Sequence, residues 1–160
     1  MSPEPPAWRS LLGREPVDFV AEVRRLLARG TRALHVGTDS LRRGFHTHYV
    51  TAVVLLGPAS GGRVFYRRRR TRGAHSLARR LFREVELSLE VACDLGALID
   101  EEPVVHVDAN QDARHRSSRY VRSLTGMVTG YGFRVRVKPD AWCATHVADY
   151  VVKRKHLKVA

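Results

Sequence analysis

Sixteen acidic residues are spread through the 160-residue chain. Four of them stand among apolar neighbours: Asp39, Glu84, Asp108 and Asp149. Asp39 closes the stretch ALHVGTD, Asp108 closes VVHVD, and Glu84 and Asp149 lie in long segments with helical periodicity. A single acid of this kind binds turn amides or pairs with arginine, and any one of the four alone reads that way. Together they suggest a shared site. Tens of residues separate them, so only the fold can bring them together. Two bare carboxylates side by side repel, and one is forced to hold a proton. A divalent cation removes that cost, and an all-oxygen ligand set suits Mg²⁺ or Mn²⁺.

The elements that must position these acids follow from periodicity. PVDFVAEVRRLLARG, within residues 16–30, spaces Val17, Val20, Val23, Leu26 and Leu27 as one face of a helix, and Gly30 supplies its stop. Residues 1–15 read as a loosely ordered leader to a single domain spanning 1–160. Three strand candidates come next: RALHVGTD, HYVTAVVLLG and GRVFYRRRR. Ser76 caps a long helix beginning at Leu77, VVHVD is a fourth strand, SSRYVRSLTGMVTGYG a helix, FRVRVKPD a fifth strand. AWCATHVADYVVKRKHL, capped by Asp140, is the last helix. The order β-β-β-α-β-α-β-α after a leading helix predicts an α/β fold, a mixed five-stranded sheet flanked by helices.

Strand alternation puts Asp39 on one face with Gly37 and His35, and Asp108 on one face with His106. If their strands are parallel neighbours, both aspartates emerge at the carboxyl ends, where open α/β sheets bind ligands. In the long helix Glu84 is preferred to Glu86, because it lies above the small Ser88 while Glu86 turns towards Arg83 and Glu90. In the last helix Asp149 shares a stripe with Trp142, Thr145, His146, Lys153 and His156. His146, three residues before Asp149, either holds a water near the site or simply orients the carboxylate.

Charge points to the partner. The net charge is +12, and lysine occurs only at positions 138, 153, 155 and 158, so nearly all the excess is arginine. The planar guanidinium grips phosphate with two parallel bonds, which makes nucleic acid the expected ligand. Arg67, Arg68, Arg69, Arg70 and Arg72 form either a phosphate track or a charged guard on an edge strand. After Asp108, Asn110 and Asp112 are placed to hold waters or a sugar hydroxyl, and Arg114, Arg116 and Arg119 to grip phosphate. Lys138 points to the same rim and can neutralise a phosphate. No phosphate-binding glycine loop of the P-loop or Rossmann type is present, and no aromatic–basic stretch matches the single-strand stacking modules. Two isolated cysteines exclude a disulfide framework, and the absence of a signal-like or ~20-residue apolar run predicts a cytoplasmic protein without a membrane span.

HVGTDS, RLFREVELSLE, VHVDAN, GYGF and KPDAWCATHVADYVVKR, in this order of elements, resemble the ribonuclease H-like superfamily and, within it, the small bacterial YkuK-type family. The resemblance runs from about Thr31 to Val152. It implies an acid on the first strand, on the first long helix, on the fourth strand and on the last helix, a pattern that Asp39, Glu84, Asp108 and Asp149 match in order. It further implies a two-metal phosphodiesterase acting on RNA, DNA or an RNA/DNA hybrid, with Asp39 bridging two Mg²⁺ or Mn²⁺ ions. A module of the same fold that binds nucleic acid without turnover is the alternative.

Overall fold

A computed structural model describes residues 6–11, 13, 15–58, 61–100 and 102–154. Part of the expected leader, the end of the last helix and His156 lie outside the described residues. The first helix, α1 (Phe19–Ala28), is capped by the Asp18 carboxylate, which accepts the Ala21 N–H at 3.1 Å. Gly30, at φ 89°, adopts the left-handed conformation that releases the chain after it. Three long strands follow: β2 (Ala33–Arg43), β3 (His46–Leu56) and β4 (Gly62–Arg72). Then come α2 (Leu77–Gly96), β5 (Val104–Asn110), α3 (Val121–Gly130) and β6 (Arg134–Lys138). A π-helical turn, Cys143–Ala148, runs directly into α4 (Asp149–Lys153).

Among the described residues the sheet has six strands, with the short β1 (Arg9–Ser10) at one edge, in the order β1-β4-β3-β2-β5-β6. β2, β3 and β4 form an antiparallel meander, and β5 and β6 add in parallel beside β2. The sixth strand, β1 (Arg9–Ser10), pairs only with Phe65 and Tyr66 of β4. Two residues carry no periodic signal, so the sequence predicts five strands and not this one.

Helices cover both faces. On one, Phe19 and Val23 of α1, Leu81 and Val85 of α2 and Leu124 and Val128 of α3 pack on Val36, Val53 and Val105 of the sheet. On the other, Cys143, Ala148, Val151 and Val152 pack on Val50, Ala52 and Val54. The second cluster is the smaller, and small residues let the last helix approach closely. Gly37 is the point of contact: a β-carbon there would lie 2.6 Å from Ala144 N and 2.9 Å from Ala144 Cα. With no side chain at Gly37, the π-helical turn rests on the backbone of β2 and presents Asp149 to Asp39.

Candidate active site

The four acids are carried by the predicted elements, and the sheet opens beside two of them. Parallel pairing between β2 and β5 stops at Gly37–His106, two residues before Asp39 and Asp108. Asp39 does not end its strand, as the sequence suggests. β2 continues to Arg43 because β3 pairs with it along its whole length, through a tight turn at Gly44 with φ 57°. Beyond the fork, β5 meets β6 with a register shift between Val107 and Asn110, and Asp108 lies inside it. Such a bulge re-aims side chains. One buried oxygen, Asp108 Oδ1, is left with no hydrogen-bond donor. The Lys138 ammonium lies 2.7 Å from this oxygen as an ion pair, out of line for a hydrogen bond.

Glu84 reaches β2 from the α2 side. Its Oε1 accepts the Ser40 hydroxyl at 2.5 Å, and Arg80 donates to the Ser40 carbonyl at 3.3 Å and to its Oγ at 3.4 Å. One turn further on, Ser88 and Thr38 share a 2.7 Å hydrogen bond, and Thr38 meets Thr51 of β3 at 3.0 Å. Glu86 is exposed and pairs with Arg83 at 2.9 Å. Asp149, at the start of α4, pairs with Lys153 at 2.8 Å.

These carboxyls act on one another. Burial, then the Asp108 charge and a hydrogen bond with Asp149, push Asp39 up to about 7. Burial and the Asp39 charge hold Glu84 well above the usual carboxylate range. The site therefore favours protons on its buried carboxyls, the cost that a cation would remove. Hard oxygen donors and mutual repulsion between neighbouring carboxyls fit a divalent cation. Yet among the described residues no group of three or more His, Cys, Asp or Glu side chains converges on one point, and lysines engage two of the four acids.

Other predicted residues are placed as follows. Asn110 Oδ1 accepts the Asp112 N–H at 2.9 Å, and its own N–H donates to Ser117 Oγ at 3.1 Å, so Asn110 shapes the turn after β5. Arg114 folds back on Asp112, while Arg116 and Arg119 are exposed. His146 is exposed and, among the described residues, makes no hydrogen bond with Asp149; the π-helical turn widens the spacing on which the stripe depends. The position before the π-helical turn is Trp142 rather than Asp140, and among the described residues the Asp140 side chain makes no hydrogen bond to that turn. Of the arginine run, Arg67 and Arg69 meet Glu90, Arg68 donates to the carbonyls of Val151 in α4 and of Arg154 just after it, and Arg70 and Arg72 are exposed.

One cluster was not singled out from the sequence. His35 of β2 and His106 of β5 lie side by side behind the acids, Nδ1 to Nε2 at 2.9 Å. The Cys143 N–H donates to His106 Nδ1 at 3.2 Å, so the other ring nitrogen carries the proton and donates to His35. Burial, aided by Arg136 and Arg134, lowers His35 to about 4; burial, then His35, lowers His106 to about 3. Both rings are neutral, and Trp142 packs on them at 4.7 and 4.9 Å. The available signal was the shared alternation of His35 with Asp39 and of His106 with Asp108.

A family model described as Ribonuclease H-like matches residues 18–153. Among solved structures, ribonuclease H1 from the halophilic archaeon Halobacterium salinarum NRC-1 is similar at 20% identity, over 70% of this chain and 89% of that one, with a TM-score of 0.42. No curated protein matches.

Proposed function

The chain belongs to the ribonuclease H-like family, and from that membership we propose that it is a divalent-metal-dependent nuclease hydrolysing phosphodiester bonds of RNA, DNA or RNA/DNA hybrids. Residues 1–160 are read as one domain of the YkuK type, acting in the cytoplasm. No helix among the described residues is long and apolar enough to cross a membrane.

One observation carries the proposal: Asp39, raised first by burial, lies near enough to Asp108 of the neighbouring strand and Asp149 of α4 to be pushed further, to about 7, and its own charge raises Glu84 of α2. Asp39, Glu84, Asp108 and Asp149 would hold Mg²⁺ or Mn²⁺, two ions in the scheme the resemblance implies. The bound metal would supply Lewis-acid activation of water and neutralisation of charge at the phosphate. The chain's own residues do the rest. Ser40, steadied by Arg80, orients Glu84. Where pairing between β2 and β5 ends, the buried Asp39 and the half-buried Asp108 lie near one another, and substrate would approach from the α4 side. Lys138 and Lys153 balance Asp108 and Asp149, and their ammonium groups would be placed to engage non-bridging phosphate oxygens.

Those same lysine pairs, with the lack of a converged ligand group among the described residues, favour a second reading: a module that binds nucleic acid and does not cut it. Labelled single-stranded, duplex and hybrid substrates incubated with Mg²⁺ or Mn²⁺ separate the two. Cleavage by the wild type that falls to background in Asp39→Asn supports the nuclease. Equal retention of uncut substrate by both proteins supports the binder.

A further inference from the structure

The described sheet ends at β6, and this edge carries charge that the fold does not consume. Val135 and Val137 pack on the larger core, so the alternate residues Arg134, Arg136 and Lys138 lie on the opposite face, the one that also carries His106 and the π-helical turn. Arg134 and Arg136 are exposed and, among the described residues, have no hydrogen-bond or ion-pair partner. Lys138 continues the row to Asp108. Alternate residues on a strand stand roughly 6.6 Å apart, a spacing that suits successive phosphates of an extended polynucleotide.

A groove of about 640 Å³ lies against this row, and Gln111, Arg136, Lys138 and Trp142 line it. Trp142 is half-buried, with its indole held by the His35 and His106 rings. It is therefore a fixed platform, and placing a base on it costs little ordering. Gln111 offers both a donor and an acceptor to a base edge. Stacking needs an unpaired base, which a duplex does not provide.

We infer that a single strand of nucleic acid lies along β6, its phosphates on Arg134, Arg136 and Lys138 and one base stacked on Trp142, so that the chain is led to Asp108. The path deepens the nuclease reading and rests on it only for what happens at Asp108; binding along β6 is a separate claim. The rival explanation, arginines that merely guard a sheet edge against association, predicts no nucleic-acid effect at all.

The test uses the whole chain carrying Trp8→Phe, which leaves Trp142 as the sole tryptophan. Short unstructured RNA, the same sequence as DNA, and a blunt duplex are titrated in EDTA, where a metal-dependent cut is silenced. Single strands are expected to quench Trp142 emission. The double variant Arg134→Gln/Arg136→Gln is expected to bind about tenfold more weakly, with a log–log salt slope shallower by roughly 1.4, about 0.7 for each lost single-strand phosphate contact. Fluorescence anisotropy of the labelled strand reads the same arginine effect in the otherwise wild-type chain, so the result does not depend on the Trp8 substitution. The tighter of RNA and DNA names the sugar. Emission unchanged at saturation, or parental binding by the double variant, overturns the path. If Asp39→Asn abolishes cleavage while the double variant binds normally, the nuclease reading stands and the path falls. If nothing is cut but quenching and the arginine effect persist, the reverse holds.

Discussion

Two strands of one sheet carry rows of arginine, and the fold treats them in opposite ways. On β4 the side chains alternate between two covered faces. Arg67 and Arg69 meet Glu90 of α2 at 3.4 and 3.3 Å, while Arg68 donates to the Val151 carbonyl at 2.6 Å and the Arg154 carbonyl at 3.3 Å. Arg43 of β2 adds bonds to the Val152 and Lys153 carbonyls at 3.2 and 3.1 Å. On β6 one face is apolar and the other open, so Arg134 and Arg136 have no internal partner among the described residues. The most arginine-dense stretch of the sequence is thus largely structural at its centre, and a sparse pair elsewhere supplies free charge. What decides is the cover on each face, not the density of charge.

The contrast is sharpest where α4 is seated. Arginines clamp the end of that helix, and Gly37 receives its beginning. Gly37→Ala forces a methyl into the backbone of Ala144, which cannot yield as a side-chain tip would, so a loss of about 3 kcal/mol is expected, near the upper end for overpacking. Urea denaturation measures it, and a loss below about 1 kcal/mol would mean that α4 is not seated on β2 as described. Arg68→Met, which keeps the stem but removes the charged donors, is expected to cost about 1.5–3 kcal/mol in the same experiment, the range for hydrogen bonds to a charged group. A neutral result there would erase the distinction between β4 and β6.

Buried acids extend the comparison to charge of the opposite sign. Asp39 is pushed above its unfolded value of 3.8 to about 7, so the folded state binds the proton more tightly than the unfolded chain. The associated stability is fully present below pH 3.8 and is lost as pH rises through 7. In EDTA, Asp39→Asn is expected to flatten this fall and to be more stable than the wild type at pH 8, by on the order of 1 kcal/mol. Mg²⁺ or Mn²⁺ is expected to restore the wild type and leave the variant unmoved. Parallel pH profiles for the two proteins would show that the acid is not crowded by its neighbours. The smallest effect belongs to β6: Arg134→Gln/Arg136→Gln is expected to change stability by less than about 0.5 kcal/mol, the usual range for exposed sites without partners. A larger loss would place these arginines with those of β4.

Much of this molecule was legible in the chain. The apolar periods of β2 to β6 and of the main helices are strong, and the stops at Gly30 and the cap at Ser76 work through local backbone geometry. Glu84 was separable from Glu86 because Ser88 leaves room on one stripe of α2. Other features were out of reach. β1 is too short to carry a period. The π-helical turn differs from an α-helix only in where its hydrogen bonds fall, which no residue type between Cys143 and Ala148 dictates. The continuation of β2 past Asp39 depends on its partner β3, and the fork beside it depends on where pairing with β5 ends.

Local chemistry therefore set the kinds of element, their order and the acids they carry, because periodicity, caps and turns act over a few residues. Which charges are spent and which are free was decided only in three dimensions. An arginine or a carboxylate is neutralised by whatever the sheet and helices bring within about 4 Å, the range of a close ion pair. Glu90 beside Arg67 and Arg69, Lys138 beside Asp108, and open solvent beside Arg134 and Arg136 are facts of packing between elements far apart in the chain.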